Sequence, residues 1–175
     1  MNQENPYAAP TSDPIAPQTE QPGTKLAPLG DRFLGAIIDG LIGAAVGIPI
    51  WAGLYFLGAY SSFSEIGNVA LWITLLVGIL HFVIYMAVQW MPLQATGQTI
   101  GKKVAKTRIA TMKGEKPSMT DLVFKRYAFS NLISMIPFAG GIIVWVDILM
   151  IFKTDRRCLH DLIAGTQVLS IRNES

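Results

Sequence analysis

The sequence is poor in charged residues and nearly devoid of cysteine. Asp, Glu, Lys and Arg make up 15% of its 175 residues, against about 25% in soluble domains. The chain therefore lacks the polar surface of a water-soluble globule. Its single cysteine, Cys158, excludes an internal disulfide framework and a thiolate metal cage. The net charge of +2, without a basic stripe interleaved with aromatic residues, argues against nucleic-acid binding.

Residues 1–28 have no long apolar run and hold six of the ten prolines. Such a tract cannot bury enough apolar surface to offset the entropy of ordering it. It also lacks the basic start and apolar run of a secretory signal. We expect a disordered, proline-rich tail over 1–28, a membrane domain over 29–171 and a short second tail over 172–175.

Apolar residues are what the chain has in abundance, at 51% of the sequence. Residues 33–57 contain one charged residue, Asp39, and residues 66–91 contain none. About 20 helical residues cross the hydrocarbon core, and a backbone in lipid must satisfy its own hydrogen bonds. The sequence therefore predicts two long membrane-spanning helices, over 33–57 and 66–91.

A third apolar run, over 127–152, is interrupted near its centre by Pro137, Gly140 and Gly141. This break favours a turn. Two interpretations follow: one kinked spanning helix, or a returning hairpin of two short helices over 119–136 and 140–153.

The distribution of basic residues favours the hairpin. The stretch from residue 91 to residue 126 carries eight basic and two acidic residues, whereas the connection over 60–68 carries only Glu65. The positive-inside rule then puts the segment 91–118 and the N-terminus in the cytoplasm. The tail after the third run is also basic, and only a returning hairpin keeps it in the cytoplasm.

Two short segments outside the apolar runs alternate apolar and polar residues, as β-strands do: 104–112 and 166–171. If they pair, they add a small cytoplasmic β element beneath the helices. The expected fold class is thus an all-α integral membrane protein with two long spanning helices and a broken third element.

Two aspartates, Asp39 and Asp147, fall inside apolar runs. A carboxylate there costs about 2.5–3.5 kcal/mol on insertion scales, so it needs a cation, a proton or a water-filled cavity. Both a cation or proton site and an inter-helix contact that fixes the fold are open interpretations. The hairpin puts both aspartates at equal depth. Gly43 and Gly47 follow Asp39 at a spacing of four and indicate a helix-packing face.

Polar residues also cluster after the third run, at Cys158, His160 and Asp161. A metal site would need further ligands, and His81 is expected deep in the second span. There it is either a proton relay or a neutral histidine bonded to a neighbouring helix, and the bond is favoured. No nucleophile with a base and an oxyanion hole is apparent. We therefore expect no enzyme activity, no metal and no cofactor. Asp161 is expected to cap a short helix that begins near His160, or to pair with Arg156, Arg157 or Arg32. Pairing with Arg32 is favoured, since arginine–carboxylate contacts at the interface are strong.

Three separated motifs together resemble the RDD family of bacterial membrane proteins: RFLGAIID over 32–39, TGQTIGKK over 96–103 and RRCLHDLIAGT over 156–166. The resemblance covers 29–171. The family is named for one arginine and two aspartates. Arg32 matches the arginine, and Asp39 matches the first aspartate. Asp161 or Asp147 is the second aspartate, and the better-matched motif favours Asp161. The family is usually described with three membrane segments, unlike the hairpin. The resemblance implies transport of unidentified ligands, with sodium/proton antiport in some members.

The sequence thus predicts a small multi-pass protein of the bacterial inner membrane, with both termini in the cytoplasm. It would move cations or protons through its intramembrane aspartates. The two spanning helices and the two helices of the hairpin are too few to enclose a transport path within one chain. Transport would therefore imply a homo-oligomer. The alternative is a non-catalytic assembly partner for other membrane proteins. The expected partners are the lipid bilayer, with its anionic headgroups near Lys102 and Lys103, and no nucleic acid.

Overall fold

The computed structural model describes residues 25–59, 71–134, 136 and 139–172. Residues 1–24 of the predicted tail and residues 173–175 lie outside this range. So do residues 60–70, which contain the predicted connection and the start of the second predicted span. Residues 25–28, which the sequence assigns to the tail, pair with the last strand of the chain. The Ala27 amide donates to the Val168 carbonyl at 3.0 Å, and Leu26 forms a β-bridge with Leu169. Ala27 is buried. The proline content of the tail did not predict that residues 25–28 would be packed in this way.

Two long helices dominate the structure: α1 (Leu29–Phe56) and α2 (Leu71–Thr96). Both are long and apolar enough to cross a membrane. Only 6% of the most apolar stretch of α1 and 17% of that of α2 is buried, unlike the core helix of a soluble protein. These helices agree with the two predicted spans.

Both helices depart from the predicted bounds at a proline. Helix α1 begins four residues early because Pro28 presets the helical entry, and its carbonyl accepts from the Arg32 amide at 3.1 Å. Helix α2 runs on through Pro92 for another turn and ends before Gly97, which has φ +70°. A proline thus directly precedes the start of α1, whereas Pro92 does not end α2.

The third element is broken, as expected. Helix α4 starts as a π-helix (Asp121–Ala128) and continues as an α-helix (Phe129–Ser134), and α5 (Ala139–Leu149) ends in a 3₁₀ turn (Met150–Phe152). A Cβ on Gly140 would lie 2.5 Å from the Ile133 carbonyl oxygen, so the two helices are closely packed. The next helix, α6 (Leu159–Ala164), contacts both α4 and α5. Both ends of the third element thus meet α6, which is the hairpin arrangement.

A small layer lies beside one end of the helices. Helix α3 (Ile100–Val104) precedes β1 (Thr107–Thr111), which pairs antiparallel with β2 (Thr166–Ser170). The predicted pairing of two strands is confirmed. Side chains of the layer and of α2 and α4 form a buried apolar cluster: Met86, Leu93, Ile109 and Leu122. This cluster fixes the layer against the helices and positions the polar residues described next.

Candidate functional site

The carboxylate of Asp39 points from α1 towards α2 and α3. Its Oδ1 accepts from the Gly101 amide at 2.9 Å and from Gln89 Nε2 at 3.1 Å. Its Oδ2 accepts from Thr99 Oγ1 at 2.5 Å and lies 3.8 Å from Lys102 Nζ. Four groups from two other elements therefore satisfy this carboxylate, which joins three helices.

A glycine and a glutamine make this contact possible. A Cβ on Gly101 would lie 2.2 Å from the Gly35 carbonyl oxygen and 2.7 Å from Asp39 Cγ, so only glycine allows α3 to approach α1 this closely. Gln89, which is fully buried, also accepts from the Ile100 amide at 2.8 Å. The sequence motif contained Gly101, but no local pattern assigned it or Gln89 to Asp39.

A second buried carboxylate, Asp161, lies at the start of α6. Its Oδ2 accepts from Arg32 Nη2 at 3.1 Å, which is the predicted ion pair. Its Oδ1 accepts from Arg126 Nη1 and from Thr166 Oγ1, the latter at 3.0 Å. The Cys158 amide also donates to Oδ2, at 3.3 Å. Asp161 thus ties the N-terminus of α1, helix α4 and the strand β2 together.

The cations around Asp161 keep it ionised. Burial alone would raise the pKa of Asp161, but the guanidinium groups of Arg126 and Arg32 hold that pKa well below its usual range. Arg126 is the partner that the sequence did not identify. Arg126 is the last basic residue before the third apolar run. From the sequence it was counted among the basic residues that indicate a cytoplasmic segment, and was not considered as a partner of a carboxylate.

The third aspartate, Asp147 of α5, pairs with a histidine. Its Oδ2 lies 2.7 Å from His160 Nδ1, and its Oδ1 accepts from the His160 amide at 3.1 Å. Burial lowers the pKa of His160, and Arg126 lowers it further, while Asp147 partly opposes both. We therefore assign a neutral ring whose Nδ1–H donates to Asp147. Cys158 lies beside this pair, and burial raises the pKa of its thiol to about 11.

Two cavities meet at the Asp147–His160 pair. The larger, of about 490 Å³, lies between α1, α2, α4 and α5 and is also lined by Asp39 and Tyr127. The smaller, of about 140 Å³, is also lined by Thr107 and Cys158. Asp39 and Asp147 thus line one cavity. Within the described part of the chain, the Tyr127 and Thr107 hydroxyls are buried without a hydrogen-bond partner.

The glycine face of α1 is occupied by α2. His81 Nε2 lies 3.0 Å from the Gly43 carbonyl oxygen, so the ring donates there, and a Cβ on Gly47 would lie 3.6 Å from the same nitrogen. The predicted packing role of Gly43 and Gly47 and the predicted inter-helix bond of His81 are both present.

Comparisons with known proteins agree with the motifs. A sequence model described as the RDD family matches residues 26–165. The "Uncharacterized protein YckC" of Bacillus subtilis (strain 168) is 37% identical over 78 residues, which cover 45% of this chain and 50% of that protein. The match thus extends over about half the length of this curated relative. No solved structure matches the chain.

Proposed function

The chain belongs to the RDD family, and we propose that this membrane protein moves protons or monovalent cations through the larger cavity between its helices. The observation that carries the proposal is the position of Asp147 and His160, which line both cavities. Ionisable residues within membrane proteins that face a cavity commonly mark ion or proton pathways.

Asp147 is better suited to exchange a proton or cation than Asp39. Asp39 already accepts from three donors and lies near a lysine. Asp147 accepts from His160, and both side chains are 20% exposed. A carboxylate open to two cavities can take a proton or a cation from one and release it to the other. Protonation of Asp147 would also weaken its hydrogen bond to His160, which couples the charge of the pair to its geometry.

The test is sodium- or potassium-driven proton movement in proteoliposomes. We expect Asp147→Asn to lower the flux by at least about 100-fold, the lower end of what a positioned proton-transfer group contributes. Asp155→Asn is the matched control, because Asp155 lines neither cavity and its side chain is 42% exposed. Its contacts with Lys153, at 3.7 Å, and with the Arg157 amide, at 3.3 Å, are long. Its flux should equal that of the wild type. Wild-type protein that inserts well but carries no flux would contradict the proposal.

A second candidate function is non-catalytic assembly with other membrane proteins. It is favoured by the complete satisfaction of Asp39 and Asp161 within the chain, as expected of residues that fix a fold. The Gly43 and Gly47 face contacts α2, so a partner or a second copy would use another surface. Under this alternative, Asp39→Asn lowers the amount of protein in the membrane, and no variant alters flux.

We also propose a location: the bacterial inner membrane, with both ends of the described chain in the cytoplasm. Contacts between Arg32 and Asp161 and between Ala27 and Val168 bring both ends to one layer, which is rich in basic residues. In a Cys158→Ser background, an impermeant maleimide should label an Ala59→Cys variant in intact spheroplasts. It should label a Lys113→Cys variant only after the cells are opened. The reverse pattern would invert the topology.

A further inference from the structure

Three potential metal ligands from two separate parts of the chain converge beside the smaller cavity. They are Asp147 of α5, Cys158 just before α6, and His160 within α6, and their ligand atoms all lie within 4.8 Å of one another. We propose that these three side chains bind a divalent metal ion of the zinc class. Sequence spacing grouped Cys158 and His160 with Asp161, whereas the hairpin brings Asp147 to them instead.

The donor set identifies the class of ion. A thiolate sulfur, an imidazole nitrogen and a carboxylate oxygen suit Zn²⁺ or Co²⁺, whereas Mg²⁺ and Ca²⁺ prefer oxygen ligands alone. Three protein ligands leave a fourth tetrahedral position. All three residues line the cavity of about 140 Å³, which has room for a water molecule at that position. The site is therefore of the open kind, with one exchangeable ligand.

The distances require only a small rearrangement. Bonds of about 2.0–2.3 Å in a tetrahedral zinc site hold the ligand atoms about 3.3–3.7 Å apart. His160 Nδ1 and Asp147 Oδ2 are 2.7 Å apart and would separate by about 1 Å as the ion replaces their shared proton. Cys158 would move inward. Metal binding at Nδ1 leaves a proton on His160 Nε2, which lies 3.7 Å from Asp161 Oδ2. A carboxylate behind the second ring nitrogen is the usual support of a metal-bound histidine.

The neighbouring charges include three cations, Arg32, Lys102 and Arg126, which also line the smaller cavity. Asp161 pairs with both arginines and offsets part of their charge. Arg32 Nη2 lies 3.6 Å from Cys158 Sγ, and its positive charge opposes a second cation. The same guanidinium is paired with Asp161 at 3.1 Å, which offsets that charge. Its N–H also donates to the sulfur and partly opposes the burial that raises the pKa of this thiol. The ion would therefore displace the Cys158 proton as it binds.

The experiment is a Co²⁺ titration of the purified full-length protein in detergent, with Zn²⁺ as competitor. We expect one Co²⁺ per chain, a near-ultraviolet thiolate-to-cobalt absorption band, and loss of that band when Zn²⁺ is added. Cys158→Ser should remove the band and weaken binding at least about 100-fold, the upper end of the loss caused by removing an outer partner of a ligand. Serine is a preferred N-cap, so this variant keeps the start of α6.

His81→Gln is the matched control, because His81 is the other histidine of the chain and lies against Gly43. It should bind Co²⁺ as the wild type does, whereas His160→Gln should not. The proposal is overturned if the wild type shows no thiolate band at saturating Co²⁺, or if Cys158→Ser binds with unchanged affinity. Should His160→Gln unfold, Cys158→Ser alone decides. The metal site shares Asp147 and His160 with the proposed transport path, so a bound ion would compete with the transported proton or cation. Metal binding to purified protein is measured without flux, so its failure and the failure of the transport proposal are distinguishable.

Discussion

Replacing Asp161 by asparagine tests whether one buried carboxylate holds the last described segment against α1 and α4. Asp161 is fully buried, and its partners Arg32 and Arg126 are only 7% and 3% exposed. Asparagine keeps the size of the side chain but leaves two buried guanidinium groups without a counter-charge. Removing one partner of a buried ion pair costs about 3–5 kcal/mol. At about 2–4 °C per kcal/mol for a chain of this size, the melting temperature should fall by about 6–20 °C.

The assay is thermal unfolding of the purified protein in detergent. Asp121→Asn is the control, because Asp121 pairs with Lys125 at the surface, where the side chains are 33% and 58% exposed. Its melting temperature should not change measurably. Arg32→Gln combined with Asp161→Asn should destabilise less than the sum of the two single changes, with a coupling of about 1–3 kcal/mol.

The effect of Asp161→Asn should also depend on pH in one direction. The pKa of Asp161 is lower in the folded protein than in the unfolded chain, where it is about 3.9. The stability that this carboxylate contributes is therefore complete above about pH 5 and is lost as the pH falls below about 4. A loss of under about 1 kcal/mol, additive single changes, or a difference from wild type that grows in acid would refute the reasoning.

Three further predictions concern the contacts around α1. Gly101→Ala should destabilise the protein by about 1–3 kcal/mol or more, because the new Cβ would clash with the backbone of α1. Gly30→Ala is the control: its Cβ would have no atom within 4 Å, so the melting temperature should stay the same or rise. Burial lowers the pKa of Lys102 to about 8, with Arg126 adding to the effect of burial. Wild-type stability relative to Lys102→Met should therefore rise between about pH 8 and pH 10; a flat difference would contradict this. His81→Leu leaves the Gly43 carbonyl with its helical partner alone and should cost about 0.5–1.5 kcal/mol; an unchanged melting temperature would show that this inter-helix hydrogen bond adds nothing.

The overall arrangement of the helices could be predicted because membrane energetics act on composition. Long apolar runs gave α1 and α2, and the uneven distribution of basic residues favoured the returning hairpin. The bounds were less accurate, since Pro28 precedes the polar first turn of α1 and Pro92 lies inside α2. Both effects are local backbone chemistry that hydropathy does not measure.

Individual site contacts were harder to predict than the helices. Pairing of Arg32 with Asp161 followed from their expected common depth at the membrane surface. The partners of Asp39 did not, because Gln89 lies 50 residues away along the chain. The spacing of four between His81, Tyr85 and Gln89 is a polar face of α2 that could have indicated it. Asp147 was expected beside Asp39 and does line the same cavity, but its bond to His160 depends on how the hairpin returns.

The network around Asp161 has a consequence for the order in which the protein is assembled. Arg32 is synthesised 129 residues before Asp161, and Arg126 is synthesised 35 residues before it. Both arginines lack this carboxylate partner until the segment over 156–170 leaves the ribosome. That segment also supplies Val168, which bonds the chain at Ala27. Chains cut short before it would expose two unpaired guanidinium groups and an unpaired strand edge, so incomplete chains differ in surface chemistry from finished ones.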